Sequence, residues 1–171
     1  MSLSYPFTCR QLFIVGKILC VLMLATAYLL QWALDLEPCS LCILQRFILW
    51  LLTALFAIGI WHNPKAFGCQ MYCLGIIALN ILGIALAGRH LWIQYALPAD
   101  QVTPCIANLE TLLAFKPIFH ALQEVLMSHE CTKIDKVLFL PLSLWSMMGF
   151  IGLTALACFT IAKSMYSKPG T

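Results

Sequence analysis

Four apolar runs, each close to the length that crosses a bilayer, predict an all-α membrane protein built as a four-transmembrane-helix bundle. Composition agrees: of 171 residues, 62% are hydrophobic and 10% charged, too few charges to surface a soluble domain of this size. The placement of the acids is the third observation. All seven (Asp35, Glu37, Asp100, Glu110, Glu124, Glu130, Asp135) fall between runs one and two or between runs three and four, so both of these segments belong on one side of the membrane.

The spans are expected at 12–34, 41–61, 67–88 and 137–162, with outer loops 35–40 and 89–136, and the whole chain 1–171 forms a single membrane domain. Each run approaches the ~20 residues that a helix needs to cross the hydrocarbon core. The first is read as a retained span, because its apolar run is long and no small-x-small cleavage site follows before Glu37. Arg10 and Lys17 precede or enter span one, Lys65 lies between spans two and three, and Lys163 and Lys168 follow span four. The positive-inside rule then puts both termini in the cytoplasm, although Lys116, Lys133 and Lys136 dilute the bias in the long outer loop. A net charge of +3 made of scattered basic residues shows no nucleic-acid patch. Within the long loop, Ile118, Phe119, Leu122, Val125 and Leu126 recur at helical spacing after Pro117. That pattern predicts a short amphipathic helix on the membrane surface; a loop segment packed on the bundle is the alternative.

Topology sorts the nine cysteines. Cys9, Cys69 and Cys73 fall at the cytoplasmic end, where thiols stay reduced, and Cys20 and Cys158 lie inside spans as small core residues. Cys69-x-x-x-Cys73 near His62 matches no zinc spacing, and no metal site is expected. Cys39, Cys42, Cys105 and Cys131 face the oxidising side, and their even number implies two disulfides. A Cys105–Cys131 bond closes about 26 residues and stabilises by roughly 3–4 kcal/mol in the chain-entropy model, so it reads equally as a structural staple or a redox pair. Cys39-Ser40-Leu41-Cys42 closes almost no loop. Its spacing lets the sulfurs switch between bonded and separate with little backbone motion, and it opens a span, where the positive helix end favours a thiolate.

Arg46 follows Cys42 by four residues, on the same helix face and about 6 Å deeper. It is read either as a boundary arginine that snorkels or as a cation for the Cys42 thiolate and for the reduced form of a lipid-soluble acceptor. His90, beside Arg89 at the outer end of span three, is a candidate proton donor to a reduced quinone, or a plain interfacial histidine. His62, His120 and His129 are assigned no role.

The four-span layout, Cys39-Ser40-Leu41-Cys42-Ile43-Leu44-Gln45-Arg46 at the start of span two, Arg89-His90-Leu91-Trp92 at the end of span three, and Cys105 and Cys131 in the second outer loop resemble the disulfide bond formation protein B (DsbB) family. The resemblance covers nearly the whole chain. It implies a multi-pass oxidoreductase of the bacterial inner membrane that reoxidises a periplasmic thioredoxin-like dithiol oxidase (DsbA-type) and passes two electrons to the membrane quinone pool, ubiquinone or menaquinone. It further implies catalytic Cys39, Cys42, Cys105 and Cys131, disulfides Cys39–Cys42 and Cys105–Cys131, and quinone contacts from Arg46 and His90. The order implied is a mixed disulfide at Cys105, attack of Cys131 on Cys39, and release of Cys42 as a thiolate beside the quinone. Some members carry an acid where Gln45 stands, a departure that alters local charge but leaves the electron path intact. A vitamin K epoxide reductase-like quinone reductase also pairs a four-helix bundle with two cysteine pairs. Its quinone-proximal C-x-x-C comes late and follows the loop pair, the reverse of the order here. A non-enzymatic tetraspan organiser with structural disulfides accounts for Cys105 and Cys131 but not for Cys39-x-x-Cys42 with Arg46.

Overall fold

The computed structural model describes residues 9–35, 38–96, 117, 119, 120, 123, 136–137 and 140–166. Four long helices carry the fold: α1 (Cys9–Ala33), α2 (Ser40–His62), α3 (Ala66–Ala96) and α4 (Leu142–Tyr166). All four are long and apolar enough to cross a membrane, and the protein is a multi-pass membrane protein. Two strands of two residues each, β1 (Lys136–Val137) and β2 (Leu140–Pro141), pair antiparallel just before α4. Of the expected surface helix, Phe119, His120 and Gln123 are helical and Pro117 is not; its remaining residues, together with Cys105 and Cys131, lie outside the described residues.

Local chemistry sets the helix ends. Beyond α1, Asp35 takes a left-handed backbone (φ 48°), which turns the chain toward α2. Cys39 caps α2 in an extended conformation. At the other end Asn63 is left-handed (φ 43°) and returns its N–H to the Gly59 carbonyl at 3.1 Å, the αL termination that asparagine tolerates. Pro64 follows and cannot continue the ladder. Two boundaries differ from the sequence expectation. Span three continues through residues 89–96, which were assigned to the outer loop. At 31 residues α3 is about 46 Å long at 1.5 Å per residue, so its last turns extend past a ~30 Å hydrocarbon core while remaining packed: Ala87, His90 and Ile93 are all buried at helical spacing. The fourth helix starts at Leu142 rather than Val137, directly after Pro141, because Val137 belongs to β1 and Leu140 and Pro141 to β2.

Around the bundle α1 packs on α2, α2 on α3, α3 most extensively on α4, and α4 back on α1. The core joins Phe13, Cys20 and Leu24 of α1, Leu49, Leu52 and Phe56 of α2, Cys73 and Ile76 of α3, and Phe150 and Leu153 of α4. Lipid offers no hydrophobic drive for helix association, so close approach at small residues supplies the packing. A Cβ on Gly83 would stand 2.6 Å from the Phe150 ring, and one on Gly59 2.7 Å from Phe13. Large apolar side chains face outward, as a lipid solvent requires. Trp32, Trp92 and Tyr95 are exposed toward one end and Trp61 and Phe67 toward the other, the positions of two interfacial aromatic belts.

One expectation is overturned at the end distal to Cys39. Cys9 and Cys69, expected as reduced cytoplasmic thiols, are bonded to each other and tie the first turn of α1 to the first turn of α3. The expectation rested on the compartment alone. Packing sets the two helix starts side by side with 6.5 Å between Cα atoms, within the span a disulfide bridges.

The glycine contacts predict that Gly83→Val, which drives a branched side chain into Phe150, destabilises the bundle by about 1–3 kcal/mol. Gly152→Ala, where an added Cβ meets nothing within 4 Å, leaves stability unchanged. Thermal denaturation of the two variants in detergent checks this.

Candidate functional site

The site is assembled at the start of α2. The sulfurs of Cys39 and Cys42 stand 3.0 Å apart, in contact as thiols rather than joined in the expected disulfide. The Cys42 backbone N–H donates to Cys39 Sγ at 3.4 Å, and the Ile43 N–H donates to the Cys39 carbonyl at 3.1 Å. Cys39 therefore serves α2 as its N-cap, with sulfur in the place where a serine or aspartate oxygen normally satisfies the first amides. The positive end of the helix thus faces its side chain.

From Cys39 a polar chain runs into the bundle. His90, buried on α3, places Nε2 3.9 Å from Cys39 Sγ. The Gln94 side-chain amide lies 3.2 Å from the same nitrogen, and Ser143 Oγ donates to Gln94 Oε1 at 2.7 Å. Ser143 holds the oxygen of that amide, so its NH2 faces His90 and Nε2 is the accepting nitrogen. Its one lone pair receives the Gln94 amide, and the Cys39 thiol is the next donor in reach of the same nitrogen at 3.9 Å.

Cys42, whose sulfur is also within 4.8 Å of His90, borders a second environment. With Gln45, Arg46 and Leu49 it forms one face of α2, at i, i+3, i+4 and i+7. That face lines a cleft of about 400 Å³ walled by Leu19, Met23 and Leu30 of α1 and Trp145 of α4. The volume is that of an ordinary small-molecule site. Arg46 is held by α1: Nη1 donates to Gln31 Oε1, Nη2 donates to the Ala27 carbonyl at 3.2 Å, and the guanidinium lies 4.9 Å from the Tyr28 ring centroid. Gln45 is buried. Its Oε1 takes the Ser146 hydroxyl at 2.8 Å, while Nε2 has no hydrogen-bond partner among the described residues. An apolar slot with a guanidinium, an unsatisfied amide and a thiol on one wall suits a flat, largely apolar ring bearing oxygen acceptors.

The structure therefore brings together Cys39, Cys42, Arg46 and His90 but divides their tasks. His90 was expected to face the ring-binding position. It lies instead against Cys39 and is not among the described residues lining the cleft. Ligand atoms of Cys39, Cys42 and His90 all lie within 4.8 Å of one another, a set a thiophilic cation could use. Two thiolates on one tetrahedral zinc stand about 3.8 Å apart, given Zn–S bonds near 2.3 Å. The 3.0 Å contact suits sulfur–sulfur exchange better. Gln31, Gln94, Ser143 and Ser146 escaped the sequence reading. Their only signal was polarity near the outer ends of apolar spans, with the two serines one turn apart.

Residues 9–160 match the family model described as disulfide bond formation protein DsbB. A disulfide bond formation protein B from Nitrosococcus oceani is 35% identical over 157 residues, covering 91% of this chain and 92% of the relative. The protein of the same name from Chromohalobacter salexigens is 38% identical over 145 residues, covering 82% and 83%. That from Hahella chejuensis is 40% identical over 136 residues, covering 78% and 81%.

The two-sided geometry predicts that His90→Phe slows alkylation of Cys39 several-fold near neutral pH, because the ring nitrogen facing the thiol is lost. Arg46→Met leaves Cys39 alkylation unchanged. Timed labelling with mass mapping of the Cys39–Arg46 peptide reads both.

Proposed function

This chain belongs to the disulfide bond formation protein DsbB family, and from that premise we propose that it reoxidises a periplasmic thioredoxin-like dithiol oxidase of the DsbA type and delivers the two electrons to a membrane quinone. The observation that carries the proposal is that one thiol pair borders two different environments. Cys39 meets the polar chain of His90 and Gln94, while Cys42 lines an apolar cleft with Arg46. A structural disulfide has no use for that arrangement. The enzyme sits in the bacterial inner membrane with both termini cytoplasmic, as the acidic outer segments and the lysines of the opposite side support.

In this scheme Cys105–Cys131 is the pair that the soluble partner reduces. One partner thiolate attacks Cys105 and forms a mixed disulfide; the second partner thiolate resolves it, and the partner leaves oxidised. Cys131, freed as a thiolate, attacks Cys39 of the oxidised Cys39–Cys42 pair. That attack breaks the Cys39–Cys42 bond and leaves Cys42 as a thiolate in the cleft. Arg46, fixed by Gln31 and the Ala27 carbonyl, stabilises this negative charge in a medium where a lone anion is costly. Cys105 then attacks the Cys131 sulfur, which re-forms Cys105–Cys131 and releases Cys39, and loss of two electrons from Cys39 and Cys42 to the acceptor would close Cys39–Cys42 again. A bound quinone, ubiquinone or menaquinone, supplies the two-electron, two-proton sink. His90 accepts the Cys39 proton and carries it within the polar chain. The balance closes as one dithiol and one quinone giving one disulfide and one quinol.

Turnover of reduced partner with a short-tailed quinone, followed by quinone absorbance, tests the proposal. Cys105→Ser loses reaction with the partner yet keeps quinone reduction by a small dithiol. Cys42→Ser keeps the partner mixed disulfide and loses quinone reduction. Arg46→Ala lowers quinone reduction by at least about tenfold, the size expected for a lost charge-stabilising donor. Arg46→Lys recovers only part of it, since lysine lacks the planar fork. Equal loss of both half-reactions in the two serine variants would overturn the order of electron flow.

A further inference from the structure

We propose that Gln45 is the residue that grips the ring oxygen of the acceptor, and that its amide turns over to serve both oxidation states. The inference rests on the quinone reading above and adds a contact which that reading does not contain.

Three observations meet at this side chain. Gln45 is 5% exposed, within a membrane-spanning helix, so its amide is shielded from bulk water. Its Nε2 has no hydrogen-bond partner among the described residues. It lines the same cleft as Cys42 and Arg46, on the same face of α2. A buried donor left without a partner is retained where a ligand completes it, and the cleft is the open space next to this one.

Ser146 makes the amide reversible. Its hydroxyl lies 2.8 Å from Gln45 Oε1 and 2.9 Å from the Ser143 carbonyl, but it has one proton for these two acceptors. When Ser146 donates to Gln45 Oε1, the amide NH2 is presented to the cleft and donates to a ring carbonyl. When Ser146 donates to the Ser143 carbonyl instead, its oxygen accepts from Gln45 Nε2, and Oε1 is presented to the cleft. In that orientation it accepts from the hydroxyl that a reduced ring carries. A carboxylate at this position offers only acceptors, so it fits the reduced ring and not the oxidised one.

The test measures binding without turnover, using the full chain in lipid nanodiscs on a Cys42→Ser background. Decyl-ubiquinone and anaerobic decyl-ubiquinol are each titrated against tryptophan fluorescence, which Trp145 in the cleft wall supplies. Infrared difference spectra with carbonyl-labelled quinone report the hydrogen bond directly. Gln45→Leu is expected to weaken both forms about tenfold and to return the carbonyl stretch toward its value in lipid. Gln45→Glu is expected to weaken the oxidised form more than the reduced one. Ser146→Ala, which keeps Gln45 but frees its amide, gives a smaller loss in the same direction and serves if Gln45→Leu fails to fold. Wild-type affinity and an unmoved carbonyl stretch in both Gln45→Leu and Ser146→Ala overturn the assignment, and equal losses for the two ring forms in Gln45→Glu overturn the amide turnover. Absence of saturable binding by the parent chain overturns the quinone reading itself, and this inference with it.

Discussion

A guanidinium inside a membrane helix must be satisfied by its neighbours, and the outer half of this bundle is organised around that demand for Arg46. At the centre of a span an arginine costs on the order of 2.5–3.5 kcal/mol on insertion scales. Here α1 meets the demand within one turn, through Gln31, the Ala27 carbonyl and the Tyr28 face. Because those three groups lie on α1 and the cation on α2, the contact fixes the register of the two helices. It also holds the cation on the wall of the cleft with Cys42. A lysine would place a point charge there, without the fork that reaches two oxygens of α1 at once.

The fourth helix does for the polar groups what the first does for the charge. Ser143 and Ser146, one turn apart, reach in different directions: Ser143 holds Gln94 behind His90, and Ser146 holds Gln45 beside the cleft. One helix end thereby orients both arms of the site, the polar chain beside Cys39 and the amide that faces the apolar slot. The separation has a physical basis. Proton movement needs connected hydrogen bonds, whereas an electron acceptor soluble in lipid needs an apolar surface with few, well-placed polar groups. Two cysteines three residues apart at a helix start are able to face both environments, because one is the cap and the other lies in the first turn.

The far end of the bundle is held by different means. Cys9–Cys69 links α1 to α3, and close glycine–phenylalanine contacts between α1 and α2 and between α3 and α4 seat the helices in between. The outer half carries the thiols, the buried amides and the cleft.

The sequence by itself determined the span count, the gathering of the acids into two segments, and the closeness of two thiols at the start of a span. These depend on local quantities: run length against bilayer thickness, charge placement, and the three-residue spacing of Cys39 and Cys42. The placement of Arg46 on the Cys42 face was legible for the same reason, since helical period alone decides it. Tertiary structure decided the rest. Residues 89–96 stay helical because Ala87, His90 and Ile93 find a packed interface, which no local rule required. His90 stands beside Cys39 because α3 meets the start of α2 there. Gln31, Gln94, Ser143 and Ser146 read as isolated polar residues until the bundle sets each against a partner 15 to 101 positions away along the chain. Cys9 and Cys69, assigned to a reducing side by topology, are bonded because two helix starts are neighbours in space. In each case the deciding quantity is a distance between helices, which lipid-facing sequence constrains weakly and side-chain packing sets.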